Sequence, residues 1–155
     1  MELVELVLPN DANTMGNVLG GRVLHWIDLA AAIVAHRHCR TEAVTASMDE
    51  VSFLAPIRVG QIALVGARMT YVGRTSMEIR VDVQSEDLMS GERRQTSTAY
   101  LTFVAVDEKG RPAVVPPLLL ETEDEKREAN AAEARRAARL KTRGPGATTE
   151  ENTRR

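Results

Sequence analysis

The chain has 155 residues, 43% hydrophobic and 27% charged, with a formal net charge of -2. That length suits one domain with a sizeable core, and the near-neutral charge supplies no basic field for nucleic acid. Its single cysteine, Cys39, excludes a disulfide framework and a cysteine metal cluster and fits a reducing, cytoplasmic setting.

The acidic, alternating start Met1-Glu2-Leu3-Val4-Glu5 is unlike a signal peptide. Residues 2–8 alternate well enough for a short strand, ended by Pro9-Asn10-Asp11. A polar loop carrying Asn13 and Asn17 follows, and Gly20-Gly21 predicts a tight turn into a long helix. The helix is expected to end near residues 37–40, where basic side chains suit its C-terminal end. From residue 23 to 35 it is almost wholly apolar, so other structure should wrap it. It is too short, and too interrupted by His25, Asp28 and His36, to span a membrane. Asp28 breaks the apolar run at its middle. A lone carboxylate there is costly unless it is paired, hydrogen-bonded or used, which marks Asp28 as a candidate site residue.

Four strands are predicted next, over residues 43–54, 61–72, 75–85 and 95–106. Arg58-Val59-Gly60 and Gly73-Arg74 are short connections, and residues 87–94 form a polar loop. One helix followed by strands on short turns predicts an α+β fold, an antiparallel sheet curled around one long central helix. One helix covers one side of a sheet, so a free face or edge calls for a partner subunit. Residues 1–120 form this domain. Residues 121–141 are rich in Glu, Ala, Arg and Lys and read as a solvated helix or frayed tail, and residues 142–155 as disordered.

The order of motifs resembles the hotdog acyl-CoA thioesterases, a family that includes cytosolic acyl-CoA hydrolases and small bacterial relatives. The resemblance runs through Leu8-Pro9-Asn10-Asp11-Ala12-Asn13, Gly16-Asn17-Val18-Leu19-Gly20-Gly21 and Trp26-Ile27-Asp28. Val44-Thr45-Ala46-Ser47-Met48-Asp49, Val72-Gly73-Arg74-Thr75-Ser76-Met77-Glu78 and Tyr100-Leu101-Thr102-Phe103 continue it. It implies hydrolysis of an acyl-CoA to a fatty acid and CoA, by a dimer commonly assembled into a trimer of dimers. It also implies a catalytic pair that meets across the dimer interface: an Asn in the loop before the helix, matched by Asn17, and an Asp within the helix, matched by Asp28. No cofactor, metal or membrane is implied, and coenzyme A is part of the substrate.

The chemistry fits these residue types. N–H groups at the glycine-started helix, with Gly20 and Gly21 leaving room for the acyl group, can hydrogen-bond the carbonyl oxygen as charge develops. Asp28 can act as general base on a water or attack directly to form an anhydride. Asn17 can orient the water or the thioester, although Asn is equally at home capping a loop. Asp28 lies roughly 10 Å along the helix from the glycines, so a site shared between subunits makes better geometry. For the phosphates of CoA, Arg58, Arg74, Thr75 and Ser76 are candidates, and the turn that begins at Gly73 resembles the family segment that touches CoA. His36 and His38 point to different faces of a helix and have no acidic ligand at usable spacing, which argues against a metal site. The alternative function is a hotdog protein that binds acyl-CoA without hydrolysis. A hotdog dehydratase would want a catalytic His near the helix start, and the context of His25 does not match.

Overall fold

The computed structural model describes residues 1–143. Residues 144–155, expected to be disordered, lie outside the described residues. Five strands, β1 (Glu2–Leu6), β2 (Glu42–Met48), β3 (Ile62–Val72), β4 (Ser76–Glu86) and β5 (Arg93–Val106), form one antiparallel sheet in the order β1-β3-β4-β5-β2. The helix α1 (Gly20–Cys39) packs on one face and α2 (Glu123–Thr142) on the other. Strand alternation makes the division. Val65, Ala67, Met77, Ile79, Val81, Leu101 and Phe103 point at α1 and are buried, while Arg68, Glu78, Arg80, Asp82 and Tyr100 point the other way. A curled antiparallel sheet around one long helix is the hotdog fold.

α1 ends within the expected residues 37–40, but its start differs from the sequence expectation. Gly20 and Gly21 do not make the turn but open the helix with ordinary backbone angles. The left-handed position is Gly16, at φ 78°, four residues earlier. Arg40, at φ 56°, closes the helix in the left-handed conformation, and its N–H bonds the carbonyl of His36. Nor is α1 wrapped on every side. Val23, Trp26, Ile27, Ala30 and Ala31 are buried, but His25 is exposed and Leu29 keeps 41% of its surface. That open stripe lies beside β2, which is an edge strand.

The strand expected over residues 43–54 stops at Met48. Alternation fails at Asp49-Glu50, and the ladder to β5 ends at the Met48–Leu101 pair. Phe53 and Leu54 instead lie in an irregular segment, anchored where the Leu54 N–H bonds the Thr96 carbonyl. The polar loop is shorter than expected, because Arg93 and Arg94 already pair with Glu86 and Ser85 across β4–β5.

The largest departure is α2. A charged helix without an apolar stripe reads as solvated, yet Ala132 is fully buried. Glu78, on β4, is 2% exposed and accepts hydrogen bonds from Arg135 at 2.7 Å, Arg139 at 3.1 Å and the Thr70 hydroxyl at 2.7 Å. The Arg135 guanidinium also stacks on Tyr100, 3.9 Å from the ring centroid. Arg139 reaches Asp49 at 3.0 Å. Nearer the start of α2, Glu128 accepts from Arg68 at 2.6 Å and Arg80 at 3.0 Å. Thr122 caps the helix, bonding the Glu125 N–H while Glu125 reaches back to the Thr122 N–H.

Hydrogen bonds from Arg68, reinforced by its charge and by Arg80, hold the Glu128 carboxyl below the usual carboxylate range. A lowered native value means that this stabilisation is complete above the ordinary Glu value of about 4.3 and is lost as pH falls through the native one. Melting temperatures taken from about pH 6 down to about pH 3 should therefore fall more steeply for the wild type than for Glu128→Gln. Parallel curves would mean that Glu128 is unpaired in solution.

Candidate active site

The N-terminal end of α1 opens on a cavity of about 220 Å³ lined by Asn17, Gly20, Val23, Phe53, Pro56 and Thr96. The loop is folded for this purpose by its own backbone. Val18 N–H bonds the Ile57 carbonyl at 2.7 Å and Leu19 N–H the Asp11 carbonyl at 2.8 Å. Asn17 pairs with Arg58 through an isolated β-bridge. No side chain caps α1, and the Arg22 N–H already bonds the Leu19 carbonyl at 3.0 Å, so the N–H groups of Gly20 and Gly21 are the ones left for a ligand. A Cβ on Gly20 would stand 3.6 Å from the Phe53 ring, whereas one on Gly21 would meet nothing within 4 Å.

Asp28 does not line this cavity. It sits half-buried about two turns further along α1. Its Oδ1 accepts a hydrogen bond of 2.8 Å from the Thr45 hydroxyl on β2. The β2–β5 register slips between Thr45 and Ser47, so Ala46 is an extra residue in the strand. Such a bulge re-aims its neighbours, and Thr45 is the neighbour that meets the carboxylate. A single chain thus keeps the two catalytic candidates apart, one at the helix start and one on its open stripe.

The remaining candidates divide into two places. Arg58 is exposed and borders a polar cavity of about 280 Å³ that it shares with Asp87, Glu92 and Arg94. Two carboxylates there weigh against an anion. Gly73, Arg74, Thr75 and Ser76 make the β3–β4 turn at a separate site. A Cβ on Gly73 would fall 2.9 Å from the Ser76 hydroxyl, so a larger residue there makes that side chain shift. Arg74 is exposed, while Thr75 and Ser76 face a further cavity toward the end of α2. His36 and His38 are held by backbone, through the Ala32 carbonyl at 2.8 Å and the Pro116 carbonyl at 2.8 Å. Among the described residues no cluster of three or more His, Cys, Asp or Glu has metal-binding geometry, and no helix is long and apolar enough to cross a membrane.

Sequence reasoning missed Thr45, whose role depends on a bulge with no residue signature. It also passed over Asn13. The Asn13 Oδ1 accepts the N–H groups of Met15 at 3.0 Å and Asn17 at 3.2 Å, which fixes the amide and leaves its NH₂ as an oriented donor.

The hotdog architecture, with a helix start facing an apolar cavity and a carboxylate on the same helix, defines the class. The thioesterase superfamily model matches residues 15–92, and the chain belongs to that superfamily. It is 47% identical over 119 residues to the uncharacterized acyl-CoA thioester hydrolase YkhA of Bacillus subtilis, covering 77% of this chain and 69% of that protein. It is 41% identical over 127 residues to the cytosolic acyl coenzyme A thioester hydrolase of Rattus norvegicus, covering 81% of this chain. The match spans only 33% of the rat protein's length. Among solved structures, an apo hexameric acyl-CoA thioesterase superposes with a TM-score of 0.88 at 43% identity, covering 93% of this chain and 92% of that one.

Proposed function

We propose that the chain is an acyl-CoA hydrolase that cleaves fatty acyl-CoA to a free acid and CoA. The observation that carries this reading is the placement on one helix of an uncapped N-terminus beside an apolar cavity and, two turns on, a carboxylate held by Thr45. The cavity takes the start of the acyl chain. The Gly20 and Gly21 N–H groups at the start of α1 bond the thioester oxygen as it gains charge. Asp28 is the general base or the nucleophile, and Asn17 positions the water or the thioester.

The two halves of this site meet in a homodimer. The edge of β2 is uncovered, with Val44 51% exposed, and Leu29 lies open on α1. A second copy pairing β2 edge to edge, with the two α1 helices side by side, covers both features and brings the carboxylate of one copy toward the cavity of the other. Three such dimers make the hexamer, a state supported by the hexameric relative. The reaction needs no cofactor or metal, and the cytoplasm is its setting.

The test is free thiol release from a panel of acyl-CoAs, short to long, by the oligomeric protein. Release that depends on chain length is expected. A folded protein that binds acyl-CoA without releasing thiol would be a binding module instead. The same assay assigns the loop amide. With Asn17 as the positioning group, Asn17→Ala lowers kcat at least about tenfold. The fixed Asn13 amide supports a second assignment, in which Asn13→Ala carries that loss and Asn17→Ala does not.

A further inference from the structure

The cavity at the start of α1 has walls of two kinds. Val23, Ile57 and Thr96 form its inner side and are buried, so core packing fixes them. The Thr96 hydroxyl donates to the Val83 carbonyl at 3.0 Å and has no second hydrogen to offer the cavity. Phe53 forms the outer side. It is half-exposed, and its ring lies against Gly20, where an added Cβ would stand 3.6 Å away. The irregular segment that carries it is pinned to β5 at two points. The Asp49 N–H bonds the Tyr100 carbonyl at 2.9 Å, and the Leu54 N–H bonds the Thr96 carbonyl at 2.8 Å. Among the described residues, no backbone group of residues 50–53 bonds to other backbone. The Phe53 ring is therefore the part of the wall that the core does not hold.

On the hydrolase reading above, we infer that Phe53 sets the acyl chain length, closing the cavity so that it admits apolar acyl groups of up to about eight carbons. A water takes about 30 Å³ of liquid and a methylene about the same, so a cavity of about 220 Å³ holds roughly seven methylenes beyond the carbonyl carbon. Inward, room for more carbons would have to be made in a close-packed core. Outward, the ring stands in the way. All of these walls belong to one chain, so the limit does not depend on the partner subunit. Because the ring rests on Gly20, the same contact seats the acyl chain beside the N–H groups that take the thioester oxygen.

The experiment measures kcat/KM for straight-chain acyl-CoAs, from acetyl to palmitoyl, with wild type, Phe53→Ala and Phe53→Trp. The wild type is expected to prefer hexanoyl- or octanoyl-CoA and to lose at least about tenfold by myristoyl-CoA. Phe53→Ala leaves the outer side open, so its myristoyl-to-hexanoyl ratio of kcat/KM rises about tenfold or more. Phe53→Trp enlarges the ring and moves the preference toward butyryl-CoA. A purely structural role would lower kcat/KM on every chain alike, and the Tm of each variant checks the fold. Equal ratios in the three proteins overturn the inference, as does a wild type that takes palmitoyl-CoA as readily as hexanoyl-CoA. Failure of the wild type to cleave any ester overturns the hydrolase reading instead. Calorimetric titration with uncleavable S-alkyl-CoA thioethers then still decides the chain limit, which requires binding to weaken beyond the octyl chain in the wild type and not in Phe53→Ala.

Discussion

Asp28→Ala lowers kcat for acyl-CoA at least about 10²-fold, the usual scale of a positioned acid–base group, while the protein stays folded and oligomeric. The expectation rests on where the carboxylate stands. It is half-buried on the open stripe of α1 and accepts, among the described residues, a single hydrogen bond, from Thr45. A carboxylate serving only the core would be enclosed and fully bonded, so truncating this one leaves no core void. Thr45→Val separates positioning from chemistry. It keeps the carboxylate, removes its 2.8 Å partner, and lowers kcat less than Asp28→Ala does, with KM little changed. Thiol release measured on the three proteins together is the check. Turnover by folded Asp28→Ala at the wild-type rate would remove Asp28 from the mechanism.

Replacing both arginines that reach Glu78 has the largest effect on stability. R135M/R139M keeps much of the side-chain volume but strands a carboxylate that is 2% exposed. Removing one side of a buried ion pair costs about 3–5 kcal/mol, and for a chain of this size about 3 kcal/mol moves the Tm by roughly 10 °C. Adding Glu78→Gln to the same background relieves the stranded charge and recovers a large part of the loss, because the amide is neutral and still meets Thr70. Thermal unfolding of the double and triple variants reads both effects. An unchanged Tm in R135M/R139M would mean that Glu78 has access to water when the arginines are gone.

These two positions also show how far the sequence could be read. Asp28 stood out because one charge interrupted an apolar run, a conflict visible without coordinates. The sheet was legible for a related reason. Alternation through residues 62–72, 76–86 and 95–106 is nearly unbroken, and each run has an apolar face. Where alternation failed, the strand failed too, which is why β2 ends at Met48 and Phe53 is free to line the cavity. Thr45 and the α2 arginines were not legible. The first depends on a register slip at Ala46. For the second, Arg135 is spaced along α2 like any solvated residue, and its partner Glu78 lies 57 residues away at an outward strand position. Local patterning assigns both to solvent. The ion pair exists because α2 folds back over a sheet face that the pattern marks as wet. The glycine pair misled in a smaller way, since the left-handed turn falls at Gly16 and Gly20-Gly21 serve the helix start.

The outer face of the sheet is held to α2 mainly by charges and a stacked tyrosine, with Ala132 as its deepest apolar contact. A layer attached in this way is modular. Taking away the whole segment would hand Glu78 and its polar neighbours back to water, where they are comfortable, and would leave the apolar layer beneath α1 untouched. The C-terminal segment can therefore be exchanged or re-tuned over evolutionary time without renegotiating the core.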